Sequence, residues 1–308
     1  MKLQRAPLAT AGLILGILGL GNLIKEISIY LTALCGIIAS LLFFYLIYSM
    51  LIDRQSIKKQ WQNPLVQSVF TTFFMSGLLA LTYVKQFFGN HDLIVRFLKS
   101  FWFIWLITLV IHMLLFSRKY LKSLSLTNVF PSWTVLYVGI GVASLTSPLS
   151  QQFFLGKVIV SYSIVATILV LPLIFYRLKN HPLETTLKPN TATICAPFSL
   201  VTAAYLSSFE TPNKLILGIL VVVSQLFYFY ILLQLPKLLN HPFTPAFSAF
   251  TFPLVISATA LKSSVKILVL PEPIIWQILV VFEIMVATLI VSYVLIGYLG
   301  FFIGKKLR

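Results

Sequence analysis

Acid is the scarcest component of this sequence. Seven Asp and Glu stand among 308 residues, against 23 Lys and Arg, and charged residues make up only 10% of the chain. A soluble domain carries about a quarter. A chain this poor in charge cannot cover a water-facing surface, which excludes an ordinary soluble fold. Cysteine is scarce too. Cys35 and Cys195 are 160 positions apart, each inside an apolar run, so neither a disulfide framework nor a Cys-x-x-Cys metal site is available. The four histidines, His91, His112, His181 and His241, make no His-x-x-x-His spacing and read as interfacial side chains. No phosphate-binding glycine loop, dinucleotide fingerprint or nucleophile elbow occurs. The sequence therefore predicts no metal, no cofactor and no catalytic residue.

Apolar residues are abundant: 59% of the chain is hydrophobic, with a mean hydropathy of +0.97. They fall into runs long enough to cross a bilayer, which takes about 20 residues at a rise of about 1.5 Å each. Ten candidate spans lie at about 7–24, 27–52, 65–85, 93–115, 130–147, 154–178, 189–209, 213–236, 245–265 and 273–302. The linkers between them are too short for a soluble domain, so the chain reads as one all-α transmembrane domain. The first run follows Lys2 and Arg5 like a signal peptide, but it is as long as a span, and further spans follow. It reads as an uncleaved first helix.

The net charge of +16 does not point to nucleic acid, because the basic residues are dispersed in short clusters. With ten spans both termini share a side. If that side is the cytoplasm, it holds 15 basic residues: Lys2, Arg5, Arg54, Lys58, Lys59, Arg118, Lys119, Lys122, Arg177, Lys179, Lys188, Lys237, Lys305, Lys306 and Arg308. The other side and adjacent helix ends hold 8. Lys and Arg favour the cytoplasmic side, so the sequence predicts a multi-pass protein of the cell membrane with both termini inside.

Every odd-numbered span opens near a proline: Pro7, Pro64, Pro131, Pro189 and Pro245. Proline is tolerated in a first helical turn, where its missing N–H has no partner to lose. Its recurrence divides the chain into five hairpins at about 7–52, 65–115, 130–178, 189–236 and 245–302. Odd spans also carry small and hydroxyl residues at mid-depth, such as Gly16 and Gly19, Thr71 and Thr72, Gly139, Thr193 and Ser248, whereas even spans are bulky and greasy. Small and polar residues belong against other helices or water, bulky apolar ones against lipid. The sequence thus predicts an inner ring of five odd helices around a central path, and an outer ring of even helices.

Counting seven residues from each opening proline reaches Ile14, Thr71, Val138, Ala196 and Phe252; the next residues are Leu15, Thr72, Gly139, Pro197 and Pro253. Two mid-span prolines at one depth predict paired kinks that free the carbonyls of Thr193 and Ala249. Such defects survive in a membrane only inside protein or facing water. Phe252, a large ring beside one kink, is a candidate plug, since apolar constrictions close pores by excluding water. Glu283, about ten residues into the last span, is an intramembrane acid and so a candidate for proton coupling; pairing with Lys262 or Lys266 is the plainer alternative. No carboxylate lies at mid-depth on an odd span, and the cytoplasmic mouth is basic, which concentrates anions.

Several runs resemble one family. Phe130-Pro-Ser-Trp-Thr-Val-Leu-Tyr-Val-Gly139, Lys188-Pro-Asn-Thr-Ala-Thr-Ile-Cys-Ala-Pro-Phe-Ser-Leu200, Pro245-Ala-Phe-Ser-Ala-Phe-Thr-Phe-Pro-Leu254 and Gly16-Ile-Leu-Gly-Leu-Gly-Asn22 are similar to the fifth, seventh, ninth and first spans of the tellurite-resistance/dicarboxylate transporter family, which includes plant slow anion channels and fungal malate permeases and sulfite pumps. The resemblance implies ten helices as five hairpins about a quasi-fivefold axis, a homotrimer with one pore per subunit, and a phenylalanine gate just before the ninth-span proline, a position that Phe252 matches. The chain lacks the long tails of the plant channels, and its first and third spans differ in glycines and prolines. Three readings stay open: an anion channel gated at Phe252, a proton-coupled carrier of malate-like dicarboxylates or sulfite using Glu283, and a membrane scaffold that transports nothing.

Overall fold

A computed structural model describes residues 4–89, 91–122, 124–268 and 273–304. Lys2, Lys305, Lys306 and Arg308, counted above in the charge asymmetry, lie outside the described residues. Within them, all regular structure is helical. The helices are α1 (Thr10–Ile24), α2 (Ile29–Ile52), α3 (Arg54–Trp61), α4 (Pro64–Phe88), α5 (Asp92–Tyr120), α6 (Trp133–Val138), α7 (Gly141–Leu145), α8 (Ser147–Ser150), α9 (Phe153–Asn180), α10 (Ala196–Ser208), α11 (Lys214–Leu239), α12 (Thr251–Val265) and α13 (Pro273–Phe302). Tighter 3₁₀ turns cover Leu126–Asn128, Thr185–Cys195 and Pro245–Phe250.

Seven helical segments among the described residues are long and apolar enough to cross a membrane: α2, α4, α5, α9, α11, α13 from Ile274, and the continuous stretch Pro245–Val265. The other three expected spans take a different form. α1 is 15 residues long. The 130–147 region breaks into α6, α7 and α8, and the 189–209 region joins a 3₁₀ segment to α10. The last two contain the Gly139 and Pro189–Pro197 punctuation that interrupts a regular α-helix. The sequence reading missed α3, a short helix capped by Asp53, whose side chain accepts from the Ser56 N–H at 3.2 Å. Helix starts follow local chemistry. Asn63 caps α4 through Leu65 N–H at 2.9 Å, with Pro64 as its first residue. Asn213 caps α11, accepting from Leu215 and Ile216.

Burial separates two classes of segment. In α1 every residue but Asn22 is buried. In the apolar centres of α4 and Pro245–Val265, 67% and 72% of residues are buried, against 22% to 44% in the other membrane-length helices. The contacts follow the same division. α1 packs on α4, α4 on α6 and α7, these on α10, α10 on α12, and α12 returns to α1. Each of these inner segments also packs against the helix that follows it: α2, α5, α9, α11 or α13. The outer helices turn long apolar rows outward, such as Leu34, Ile37, Leu41 and Phe44 on α2, or Ile278, Val281, Met285 and Leu289 on α13. Rows that continuous would drive a water-soluble protein to aggregate; lipid is their natural cover.

Hydroxyl groups join the inner segments to one another. Ser68 Oγ lies 2.7 Å from Ser132 Oγ, and Asn190 Oδ1 accepts the Ser132 N–H at 3.0 Å. Ser257 Oγ lies 2.8 Å from Ser199 Oγ and 3.1 Å from Cys195 Sγ. Thr251 Oγ1 donates to the Gly12 carbonyl at 3.0 Å. With apolar lipid outside, such bonds and close packing take over the cohesive role that water plays in soluble cores. Gly16 lets α1 and α12 approach closely: a Cβ there would stand 2.4 Å from Thr251.

Candidate functional site

Three inner segments change their backbone at one level. α6 ends at Val138 and α7 begins at Gly141, leaving Gly139 in the break. The 3₁₀ stretch Thr185–Cys195 becomes α10 at Ala196. The 3₁₀ stretch Pro245–Phe250 becomes α12 at Thr251. Pro197 is the second residue of α10 and Pro253 the third of α12, so both occupy first turns, where proline costs no hydrogen bond. This differs from the expected kink in a continuous helix. The Thr193 carbonyl is accordingly not free: it accepts the Ala196 N–H and, at 3.1 Å, the Thr134 hydroxyl. The 3₁₀ winding brings the i+3 donor to the carbonyl that proline cannot serve.

An enclosed cavity lies where these changes converge, lined by Gly12 of α1, Val69, Thr72 and Met75 of α4, Thr134, Val135, Val138 and Gly139, then Thr193, Ala196, Pro197 and Leu200, then Ser248, Ala249, Phe252 and Pro253. All five inner segments contribute. It leaves about 30 Å³ for the centres of water molecules, room for about two and too little for a hydrated ion. Phe252 is 5% exposed. Its ring lies against the bare face of Gly19, where a Cβ would stand 3.5 Å from Phe252 Cδ2. Three of the four lining hydroxyls have their protons engaged: Thr72 donates to Val69 O at 2.7 Å, Thr134 to Pro131 O at 2.8 Å, and Thr193 to Asn190 O at 2.9 Å. An apolar wall without fixed charge cannot hold an ion tightly.

Of the residues singled out from the sequence, Phe252, Pro253, Pro197, Val138, Gly139 and Ala196 come together on this cavity. Gly16 and Gly19 face α12 without lining it. Thr71 is fully buried off the lining, and its neighbour Thr72 takes the place. Glu283 stands apart from this cavity, fully buried on α13, with Gln225 of α11 as its polar neighbour. It does not pair with Lys262 or Lys266. His112, expected at an interface, is buried among the rings of Trp61, Phe70 and Phe74, with Nε2 3.0 Å from the Gln67 carbonyl. The sequence reading passed over Val69, Met75, Thr134 and Leu200. Their signal was periodic: Val69-Thr72-Met75 and Thr193-Ala196-Pro197-Leu200 each trace one helical stripe through a residue already chosen.

The C-terminal mouth of the inner segments holds a second, polar cavity of about 300 Å³. Glu26, in the turn between α1 and α2, reaches Lys266 Nζ at 2.7 Å and Lys262 Nζ at 3.0 Å. Lys262 also donates to the Leu23 carbonyl at 2.9 Å, capping α1. These bonds, that of Lys266 first and that of Lys262 second, hold the Glu26 carboxyl down at about 2.

A cavity walled by all five inner segments lies inside a shell of helices whose outward faces are apolar. The sequence profile of the voltage-dependent anion channel family matches residues 5–299. The chain belongs to this family. The match spans nearly the whole chain and agrees with the resemblance to tellurite-resistance and slow anion channel proteins noted above. No curated protein matches the chain. Family membership and the apolar helices make it a multi-pass membrane protein, and the family's work is anion transport rather than enzymatic catalysis.

Proposed function

We propose that this member of the voltage-dependent anion channel family carries small inorganic or organic anions along the axis of its inner segments, and that Phe252 is the gate. The observation that carries the reading is the cavity at Phe252, walled by all five inner segments yet too small for a hydrated ion. Removing a ring from a constriction that excludes water opens it to water. In proteoliposomes, Phe252→Ala is expected to raise chloride or nitrate flux several-fold over wild type. Unchanged flux in a folded variant would remove Phe252 from the gate.

The arrangement we propose around this path is ten membrane crossings as five hairpins with quasi-fivefold symmetry. The circuit of contacts from α1 through α4, α6 and α7, α10 and α12 back to α1 supports it. So does the concentration of basic residues on the side assigned to the cytoplasm, with both termini there and the chain in a cell membrane. A homotrimer with one path in each subunit follows from the resemblance. With three of the four lining hydroxyl protons engaged and no fixed charge in the wall, selection among anions follows the cost of dehydration rather than a tailored site.

A second reading, a proton-coupled carrier of dicarboxylates or sulfite, is favoured by Glu283. A carboxyl fully buried inside a membrane, with only the neutral Gln225 beside it and no ionic partner, is costly to keep unless it serves a purpose. Glu283→Gln is expected to abolish uptake driven by a proton gradient while sparing anion exchange; intact driven uptake removes Glu283 from the mechanism.

A further inference from the structure

We propose that the polar cavity at the C-terminal mouth of the inner segments is an anion seat, and that Glu26 occupies it as a built-in competitor. The inference rests on the anion-transport reading above and adds a site and its regulation to it.

The cavity takes Asn22 from α1, Thr82 from α4, Thr146 beside α7, Ser207 from α10, and Thr259 and Lys262 from α12. All five inner segments therefore line it, as they line the cavity at Phe252, so the two lie on one axis. Seven residues of α12 separate Phe252 from Thr259, about 10 Å of helix. At about 300 Å³ the outer of the two has room for an anion with part of its water shell, which the cavity at Phe252 lacks.

An anion at this mouth meets unfavourable backbone. α1, α4, α10 and α12 all end here, and helix C-termini carry partial negative charge. Lys262 and Lys266, with Lys25 also on the lining, reverse that field. Lys262 caps the Leu23 carbonyl with one proton and turns another to Glu26. Glu26 presents both oxygens to Lys266, at 2.7 and 3.0 Å, and one to Lys262 at 3.0 Å. A free carboxylate or nitrate would use the same donors, and chloride would sit between the same two ammonium groups. Glu26 hangs from the short turn that joins α1 to α2, so its effective concentration at the lysines is high and any anion from solution must displace it. The lysines keep Glu26 ionised, so the competitor is permanent. The ligand class is small anions with delocalised or spherical charge, bound weakly while Glu26 is in place.

The test uses the full chain in detergent, with chloride as the probe and ³⁵Cl line broadening as the readout, beside chloride flux in proteoliposomes. Glu26→Gln is expected to tighten chloride binding about threefold or more, the scale of two partly exposed ion pairs, and to lower the half-saturating chloride for flux by a similar factor. Lys262→Gln combined with Lys266→Gln is expected to abolish the broadening. Glu26→Asp, one methylene shorter and unable to span both lysines, is expected to fall between wild type and Glu26→Gln; it serves if the Gln variant does not fold. Chloride affinity unchanged in both Glu26 variants would overturn the proposal, even where flux is normal and the transport reading stands. Tightened binding in protein that passes no anion would instead uphold the seat and overturn the transport reading.

Discussion

Gly16 and Thr251 show how little room single residues have in the inner ring. A Cβ at Gly16 would overlap Thr251 at 2.4 Å, and Thr251 holds the Gly12 carbonyl from the same side. Gly16→Ala must push α1 from α12 and break that hydrogen bond. Overpacking of this kind costs about 1–3 kcal/mol, so the variant is expected to unfold at clearly lower temperature in detergent than wild type. Phe252 sits under a different constraint. Its ring rests on Gly19 and has the cavity on its other side, so Phe252→Ala enlarges an existing space instead of opening one in solid packing. The expected gain in flux should therefore come with a folded protein, which the same unfolding assay checks.

Among the elements, the junctions between 3₁₀ and α geometry matter most. If Pro197 bent a continuous helix, replacing it would straighten α10 and reshape the cavity. Pro197 is instead the second residue of α10, and the carbonyl it leaves unserved already has the Ala196 N–H and the Thr134 hydroxyl. Pro197→Ala is thus expected to change stability by less than about 1 kcal/mol, the scale of a proline's effect on the unfolded chain at a compatible site. Thr134→Val removes the link between α6 and the Thr193 carbonyl and is expected to cost about 1 kcal/mol. Chemical denaturation of the two variants side by side decides the order; a larger loss for Pro197→Ala would restore the kink. The prolines were legible as a recurring depth mark, but not as first-turn residues. Helix onset there depends in part on donors from neighbouring segments, such as the Thr134 hydroxyl, 59 positions from the Thr193 carbonyl it serves.

For the molecule as a whole, the Glu26 bridge sets a pH expectation. Its folded-state value of about 2 lies below the ordinary 4.5, so between those values the unfolded chain binds more protons than the folded one. The bridge contributes to stability fully above about pH 4.5 and loses that contribution as pH falls towards 2. Acidification from pH 7.5 to 5.5 leaves the bridge intact, so wild type and Glu26→Gln are expected to share the same pH dependence of flux over that range. A divergence would show that Glu26 titrates there and that the lysines hold it more weakly. Assembly belongs to this scale as well: native mass spectrometry of detergent-solubilised protein is expected to give a trimer, and a monomer that passes anions would show that each subunit works alone.

Much of this protein was legible in one dimension. Seven of the ten apolar runs reappear as membrane-length helical segments among the described residues; such runs are local features, because a bilayer demands length and apolarity of each span separately, whatever it packs against. Counting from the recurrent prolines placed Val138, Ala196 and Phe252 at one depth, and all three meet on one cavity. Direction around the helix was not legible. Thr71 and Thr72 are equal candidates by composition, yet about 100° of helical turn puts only Thr72 on the axis, and that rotation is fixed by packing against α1 and α5. Nor could spacing reveal that Glu26 would claim Lys262 and Lys266, some 240 positions away, and leave Glu283 without an ionic partner. Charge pairing needs two side chains within a few ångströms, and only the closing of the last inner segment onto the first brings them there.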